Sequence, residues 1–261
     1  MTPLMRKTWR DDRRALIGWT VGIAAFTLVY TSFYPQLRNA AKLKQDAMPQ
    51  GMLDFLGVSD MTVGAGYLEA TVFGLIGPLL LITCGTMLAA RIIARPEEDG
   101  GMELLLANPL SRRAFAGQRL AAAGLAVTVI AAIPWLLLVF IVPAAGLGVP
   151  QGNLAAAGVG MIALAWLFTA VAFLVGAATG RRGQVLAVTG VLAVGTYMAR
   201  ALSGMIESIA WLKWASPFHY FLGGDPLRTG WHGGYLAVLV LPAIACALAG
   251  IAAFDRRDVG V

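Results

Sequence analysis

Charge is scarce in this sequence. Lys, Arg, Asp and Glu make up 13% of its 261 residues, about half of the roughly 25% usual in a soluble domain. The mean hydropathy is +0.73. A water-soluble globule is excluded, and the chain reads as a single membrane domain over residues 1–261. Cysteine is nearly missing: Cys84 and Cys246 each fall inside an apolar run, where a thiol behaves as a small hydrophobe. Neither a disulfide framework nor a metal site follows. Histidine occurs at 219 and 232 alone, both in one interfacial stretch. No span offers a Gly-x-Ser facing them, so the nucleophile and base of an intramembrane serine protease are not within reach of each other. Nothing marks a catalytic residue or a cofactor site in this chain.

Two further absences bear on energy supply. No Gly-x-x-x-x-Gly-Lys-Ser/Thr occurs, and the nearest glycine-rich piece, 176–183, has no lysine and no preceding strand. The chain therefore does not hydrolyse ATP by itself and is not an enzyme. Apart from the edge residues Arg91 and Arg200, no charge pair is expected within the spans, so the usual sign of an ion or proton relay is missing. An apolar or amphipathic cargo such as a drug, natural product, lipid-like molecule or hydrophobic peptide is the class that fits.

What the sequence does hold is long apolar runs. A hydrocarbon core about 30 Å thick takes roughly 20 helical residues to cross, and six segments meet or approach that: 15–34, 70–94 (uncharged to 90), 120–142, 154–179, 185–199 and 234–254. The fifth is short and runs into Arg200. The first is too long for a signal-peptide core and is read as retained. An even number of spans places both termini on one side. Fourteen of the 20 basic residues fall on that side, including Arg6, Lys7, Arg10, Arg112, Arg113, Arg256 and Arg257, which makes it cytoplasmic by the positive-inside rule. The pI near 9.7 thus points to anionic lipid headgroups rather than to nucleic acid. On the outer side, 35–69 reads as a surface hairpin or loop. Residues 201–233 carry Trp211, Trp214, Phe218, Tyr220, Phe221 and Trp231, too much aromatic surface to leave in water. That segment is expected at headgroup depth or dipping back into the membrane, broken at Ser216-Pro217 into two short helices.

The segment between spans two and three differs from everything around it. Pro96 suits a first helical position, and Glu97, Glu98 and Asp99 stand in a first turn, where negative charge meets the positive helix end. Leu104, Leu105 and Leu106 follow, then Asn108-Pro109 as a stop and Ser111 as N-cap of the third span. This spells a short helix, about 97–107, across the membrane face. Its leucines, 100° apart, cannot all face one way, so it is either a handle for a partner or an amphipathic connector resting on lipid.

The pattern Glu97-Glu98-Asp99, Gly100-Gly101-Met102-Glu103, Leu104-Leu105-Leu106, Pro109, Ser111-Arg112 resembles the coupling helix of ABC-2 type exporter permeases. Gly101 stands where that family has threonine. The tail Phe254-Asp255-Arg256-Arg257-Asp258-Val259 and Trp214-Ala215-Ser216-Pro217-Phe218 before the last span are similar to family features as well. The resemblance implies an all-α polytopic fold of six spans with an N-terminal cytoplasmic elbow helix around Met5 and Trp9, a coupling helix, and a re-entrant segment before span six. It implies a plasma-membrane permease that works with two copies of a separate ATPase subunit, which carry ATP and Mg, and with a second permease half, identical or homologous. Glu97, Glu98, Glu103 and Arg112 would then be polar contacts to the ATPase and Leu104–Leu106 the apolar plug, with spans one, two and five lining the path. Gly18 and Gly22 form a Gly-x-x-x-Gly that lets helix backbones approach closely, either at the seam between halves or within one protomer. Two other readings stay open: a non-transporting membrane receptor or assembly protein with this fold, and a secondary transporter, which should show an internal repeat. No repeat is found.

Overall fold

The computed structural model describes residues 13–34, 63–92 and 111–257. These residues form helices and no strand. Six helices are long and apolar enough to cross a bilayer: α1 (Arg13–Ser32), α2 (Gly64–Ile92), α3 (Arg112–Ala144), α4 (Gln151–Thr179), α5 (Arg182–Ser203) and α8 (Gly233–Arg256). A 3-10 helix (Glu207–Ala215) and two short helices, α6 (Pro217–Leu222) and α7 (Pro226–Thr229), lie between α5 and α8. The all-α, six-span expectation holds.

Local chemistry explains several boundaries. Ser111, in extended conformation, accepts at Oγ from the Ala114 N–H at 3.2 Å. It caps α3 as its sequence position predicts. α4 ends at Gly180, whose left-handed φ of 67° and N–H bond to the Gly176 carbonyl stop the helix; the glycine-rich piece 176–183 is thus a helix stop and turn. The break at Ser216-Pro217 is present: Ser216 is extended, Pro217 opens α6, and Ser216 Oγ donates to the Thr196 carbonyl at 2.6 Å.

α4 is the hub, packing on α8, α2, α3 and α5. Between helices in lipid the gain comes from close contact rather than from expelling water, and small residues permit it. A Cβ on Gly250 of α8 would sit 2.7 Å from the Phe173 ring of α4. In α2 and α4, 67% of the apolar window is buried, against 17% in α1 and α8 and 28% in α5. α1 leans mainly on α3. α5 buries one stripe, Val185, Thr189, Ala193, Tyr197 and Ala201, a single ridge of every fourth residue.

Three boundaries differ from expectation. The fifth span runs Arg182–Ser203 rather than 185–199. Arg200 does not end it but lies in its last turn. The second span starts at Gly64 rather than 70, so 64–69 belong to the bundle and not to a surface loop. Glu69 opens a π-helical turn, Glu69–Phe73, and is 7% exposed. An acid is therefore buried within a span, where the sequence suggested none. The elbow around Met5 and Trp9, the outer segment 35–62 and the coupling stretch 93–110 lie outside the described residues.

Candidate functional site

The coupling residues read from the sequence, Glu97, Glu98, Glu103, Leu104, Leu105 and Leu106, lie outside the described residues. The two ends of their segment, Ile92 and Ser111, are described, and a cluster of arginines gathers there. Arg119 Nη1 donates to the Ile92 carbonyl at 3.3 Å, and its guanidinium lies 5.0 Å over the Phe115 ring. Arg112 Nη1 donates to the Arg257 carbonyl at 2.7 Å, and Arg257 Nη1 donates to the Ala177 carbonyl at 3.2 Å. Arg113 Nε meets Asp255 Oδ2 at 2.8 Å. The last carbonyls of a helix lack partners within it and carry the negative end of its dipole. Ala177 is such a carbonyl at the end of α4, and Arg257 caps it; Arg119 reaches the carbonyl of Ile92, the last described residue of α2.

Beneath this polar layer Phe115 and Phe254, 1% and 0% exposed, stack at 6.0 Å. That buried stack and the arginine–carbonyl bonds hold the ends of α2, α3, α4 and α8 together. The Arg113–Asp255 pair adds little, since Arg113 is 73% exposed and such pairs contribute about 0–1 kcal/mol. Arg112 therefore carries a bond within the protomer. The tail from Phe254 to Arg257, noticed in the sequence only as a resemblance, is what locks α8 to α3 and α4.

The opposite end has a different construction. Tyr67 Oη donates to the Tyr30 carbonyl of α1 at 2.6 Å, and the Tyr34 and Tyr67 rings meet at 4.9 Å. Glu69, two residues on, is turned about 200° around the helix and has Asp225, Arg200 and Arg228 as its charged neighbours. Asp225 sits in a left-handed backbone, φ 47°, and pairs with Arg228 at 3.0 Å. Among the described residues none donates a hydrogen bond to the Glu69 carboxylate. His219 of α6 lies in the same region; burial, then the positive charges of Lys213 and Arg200, hold its pKa below the ordinary histidine value. The start of α2 thus reaches α1 through Tyr67. Sequence reading missed Glu69 because it took the acid as the boundary of an apolar run. The available signal was that Tyr67 and Leu68 before it are themselves apolar enough to extend the helix.

Gly18 and Gly22 lie on an exposed face of α1, and a Cβ on either would meet nothing within 4 Å. Among the described residues, nothing packs closely on either. α3, α4 and α8 form an open hollow of about 500 Å³ lined by Leu120, Leu125, Trp166, Val240 and Ile244 among others, with no charged residue. Its polar atoms are occupied: Trp166 Nε1 donates to Thr128 Oγ at 3.0 Å and Thr169 Oγ to the Ala165 carbonyl at 2.7 Å. Such a surface offers dispersion contacts and nothing to bind a charged or strongly polar molecule.

No curated protein matches the chain. A family model described as "Multidrug efflux system permease Rv1217c, C-terminal domain" matches residues 6–255, nearly the whole sequence. With its apolar helices and its apolar hollow, the chain belongs to this family of multidrug efflux permeases.

Proposed function

We propose that the chain is the membrane-spanning half of an ABC-2 type exporter, which moves apolar or amphipathic molecules out of the cytoplasm or inner leaflet and is driven by a separate ATPase subunit. The observation that carries this reading is the pinned loop. The stretch with acids, leucine triplet and Ser-Arg starts and ends on residues fastened to the ends of four spans, through Arg119 to the Ile92 carbonyl and Arg112 to the Arg257 carbonyl. A push on 93–110 would reach α2, α3, α4 and α8 together, as a rigid-body transmission requires. Glu97, Glu98 and Glu103 serve as polar contacts to the ATPase and Leu104–Leu106 as the plug. Arg112 acts through its hold on the tail. Two ATPase copies, which carry ATP and Mg, serve two permease halves. The halves meet along the open face of α1 with Gly18 and Gly22 and along the sparsely buried α5. The basic end then faces the cytoplasm, with both termini there, in the plasma membrane.

The test is co-purification with a candidate ABC ATPase subunit, followed by ATPase and drug-export assays. Glu98→Lys with Glu103→Lys should leave the protein in the membrane and abolish drug-stimulated ATP hydrolysis; retained stimulation and export would refute the assignment. Cysteines at Ser111 and Lys213 should label from opposite sides of the membrane. A second reading, a secondary ion-coupled transporter, is favoured by Glu69 alone, an acid buried in a span. Drug efflux from vesicles that lack any ATPase but hold a proton gradient would select it.

A further inference from the structure

Small residues in this bundle mostly serve close packing: Gly85 meets Thr169, Gly158 the Trp135 ring and Gly250 the Phe173 ring. One set does not. Gly117, Ala121 and Gly124 recur along one face of α3, and they line the open hollow together with Ala243 and Ala247 of α8. At the basic end the two helices are joined: Phe115 stacks on Phe254 at 6.0 Å, and a Cβ on Gly117 would lie 3.8 Å from Ile251. Beyond that contact the small side chains leave the gap open, and about 500 Å³ stays unfilled. Sites for small molecules run from roughly 300 to 1,000 Å³.

The wall contributed by α4 carries Trp166. It stands near the middle of Gln151–Thr179, away from the headgroup depth that tryptophan favours as a membrane anchor. Its ring is held in place: Nε1 donates to Thr128 Oγ at 3.0 Å, and a Cβ on Gly124 would lie 3.8 Å from the indole. The ring nonetheless remains 44% exposed. We propose that the hollow is a cargo site for neutral, apolar molecules that contain a flat aromatic ring, with Trp166 as the face on which that ring stacks. The lining has no charge, and its hydroxyl protons are used, Thr128 Oγ on the Gly124 carbonyl at 2.9 Å and Thr169 Oγ on the Ala165 carbonyl at 2.7 Å. A cation or a sugar would lose its hydration here without return. An aromatic ring on the indole gains contact area and favourable ring geometry and leaves nothing unpaired. An acyl chain would fill the space but needs no fixed indole in mid-span. Neither α1 nor α5 lines the hollow, so the site is separate from the face along which the halves are taken to meet. The cargo role rests on the permease reading above; the binding does not.

The test is fluorine NMR on the full chain, labelled with fluorotryptophan, in nanodiscs. The Trp166 resonance is assigned by its loss in Trp166→Phe, and the probe is phenylnaphthylamine, a neutral aromatic. The Trp166 resonance should shift saturably, while those of Trp211 and Trp214, exposed on the outer segment, should not saturate with it. Ala121→Phe fills the hollow and should weaken the response at least about tenfold, as a clash built into a pocket does. Ala245→Phe, an exposed position of α8 that does not line the hollow, should leave it unchanged. Should Ala121→Phe fold poorly, Ala247→Phe fills the same space from the other wall. An unmoved Trp166 overturns the site and gives the hollow to lipid, and so does a non-saturating drift of all exposed indoles. Equal saturable binding of ethidium, an aromatic cation, overturns the neutral class. With the ATPase added, export of the probe should fall in Ala121→Phe by a similar factor; undiminished export by a variant that no longer binds overturns the cargo role. A wild-type chain that binds at Trp166 but exports nothing counts against the exporter reading and upholds the site.

Discussion

α4 and α1 are both apolar enough to cross a bilayer, yet 67% of one window is buried and 17% of the other. α4 is the more apolar of the two, but hydropathy does not set burial, since α8 is at least as apolar as α4 and as little buried as α1; α1 and α4 differ also in how their glycines are used. In and around α4, small residues are pressed against neighbours: a Cβ on Gly158 would lie 2.7 Å from the Trp135 ring, and one on Gly250 equally close to Phe173. Gly85 of α2 faces the Thr169 side chain of α4 in the same way. In α1, Gly18 and Gly22 meet nothing within 4 Å among the described residues. The first group makes a protomer. The second leaves a surface that a lipid, a cargo molecule or another chain has to cover. A multidrug efflux permease needs both, a core that does not yield and a face that stays available.

The largest expected effect breaks the buried side of this contrast. Gly85→Leu drives a side chain into Thr169, whose Oγ is already held by the Ala165 carbonyl. It should destabilise the protein by about 3 kcal/mol, seen as a marked fall in melting temperature in detergent or nanodiscs. Gly22→Leu should leave the melting of the isolated protomer unchanged and reduce recovery of an untagged copy with a tagged one. If Gly22→Leu destabilised the protomer as much as Gly85→Leu, the division between packed and open helices would be wrong.

The basic end sharpens the same contrast on a smaller scale. Phe254→Ala removes a fully buried ring stacked on Phe115 and should cost about 3 kcal/mol. Asp255→Asn, beside it, loses a pair whose arginine is 73% exposed and should cost no more than about 1 kcal/mol. Equal losses for the two would mean that the ion pair, and not the ring stack, fastens the tail.

Much of the architecture was legible in the sequence because it depends on local chemistry. Uncharged runs of bilayer length give the spans, Ser111 before paired arginines gives the α3 cap, and Ser216-Pro217 gives the break before α6. What local chemistry cannot show is which charges answer one another across the fold. Arg200 was read as lying past the end of a span and Glu69 as the last residue of an outer loop, since each taken singly is too costly to bury. Both instead lie within helices, Glu69 at 7% exposure, and both helices extend past the places where their sequences suggested a stop. The tail was legible as a pattern without a reason. Its arginine-to-carbonyl bonds join residues 80 and 145 positions apart, beyond any local rule. For the coupling residues, the sequence remains the source: Glu97, Glu98, Glu103 and Leu104–Leu106 lie outside the described residues.

The smallest effect concerns the end away from the clamp, where packing is aromatic. His219 is surrounded by Trp214, Tyr220 and Tyr235 at centroid distances of 4.9, 5.4 and 6.0 Å. Burial first, and then the charges of Lys213 and Arg200, hold its pKa below 6.5 in the folded protein. The unfolded chain therefore takes up a proton near 6.5 that the folded chain resists. Because the unfolded state binds more protons, stability falls as the pH drops from about 6.5 to the lower folded value, and this contribution stops changing beneath it. His219→Phe keeps an aromatic ring in place and removes the proton. Its melting temperature should drop less than the wild type's between about pH 7.5 and about pH 5, while the wild type and the variant differ little at the upper pH. Parallel curves for the two proteins would mean that His219 takes up its proton in the fold as readily as in water. The aromatic end would then be as open to solvent as the free face of α1, and the difference between packed and open regions would not extend to α6.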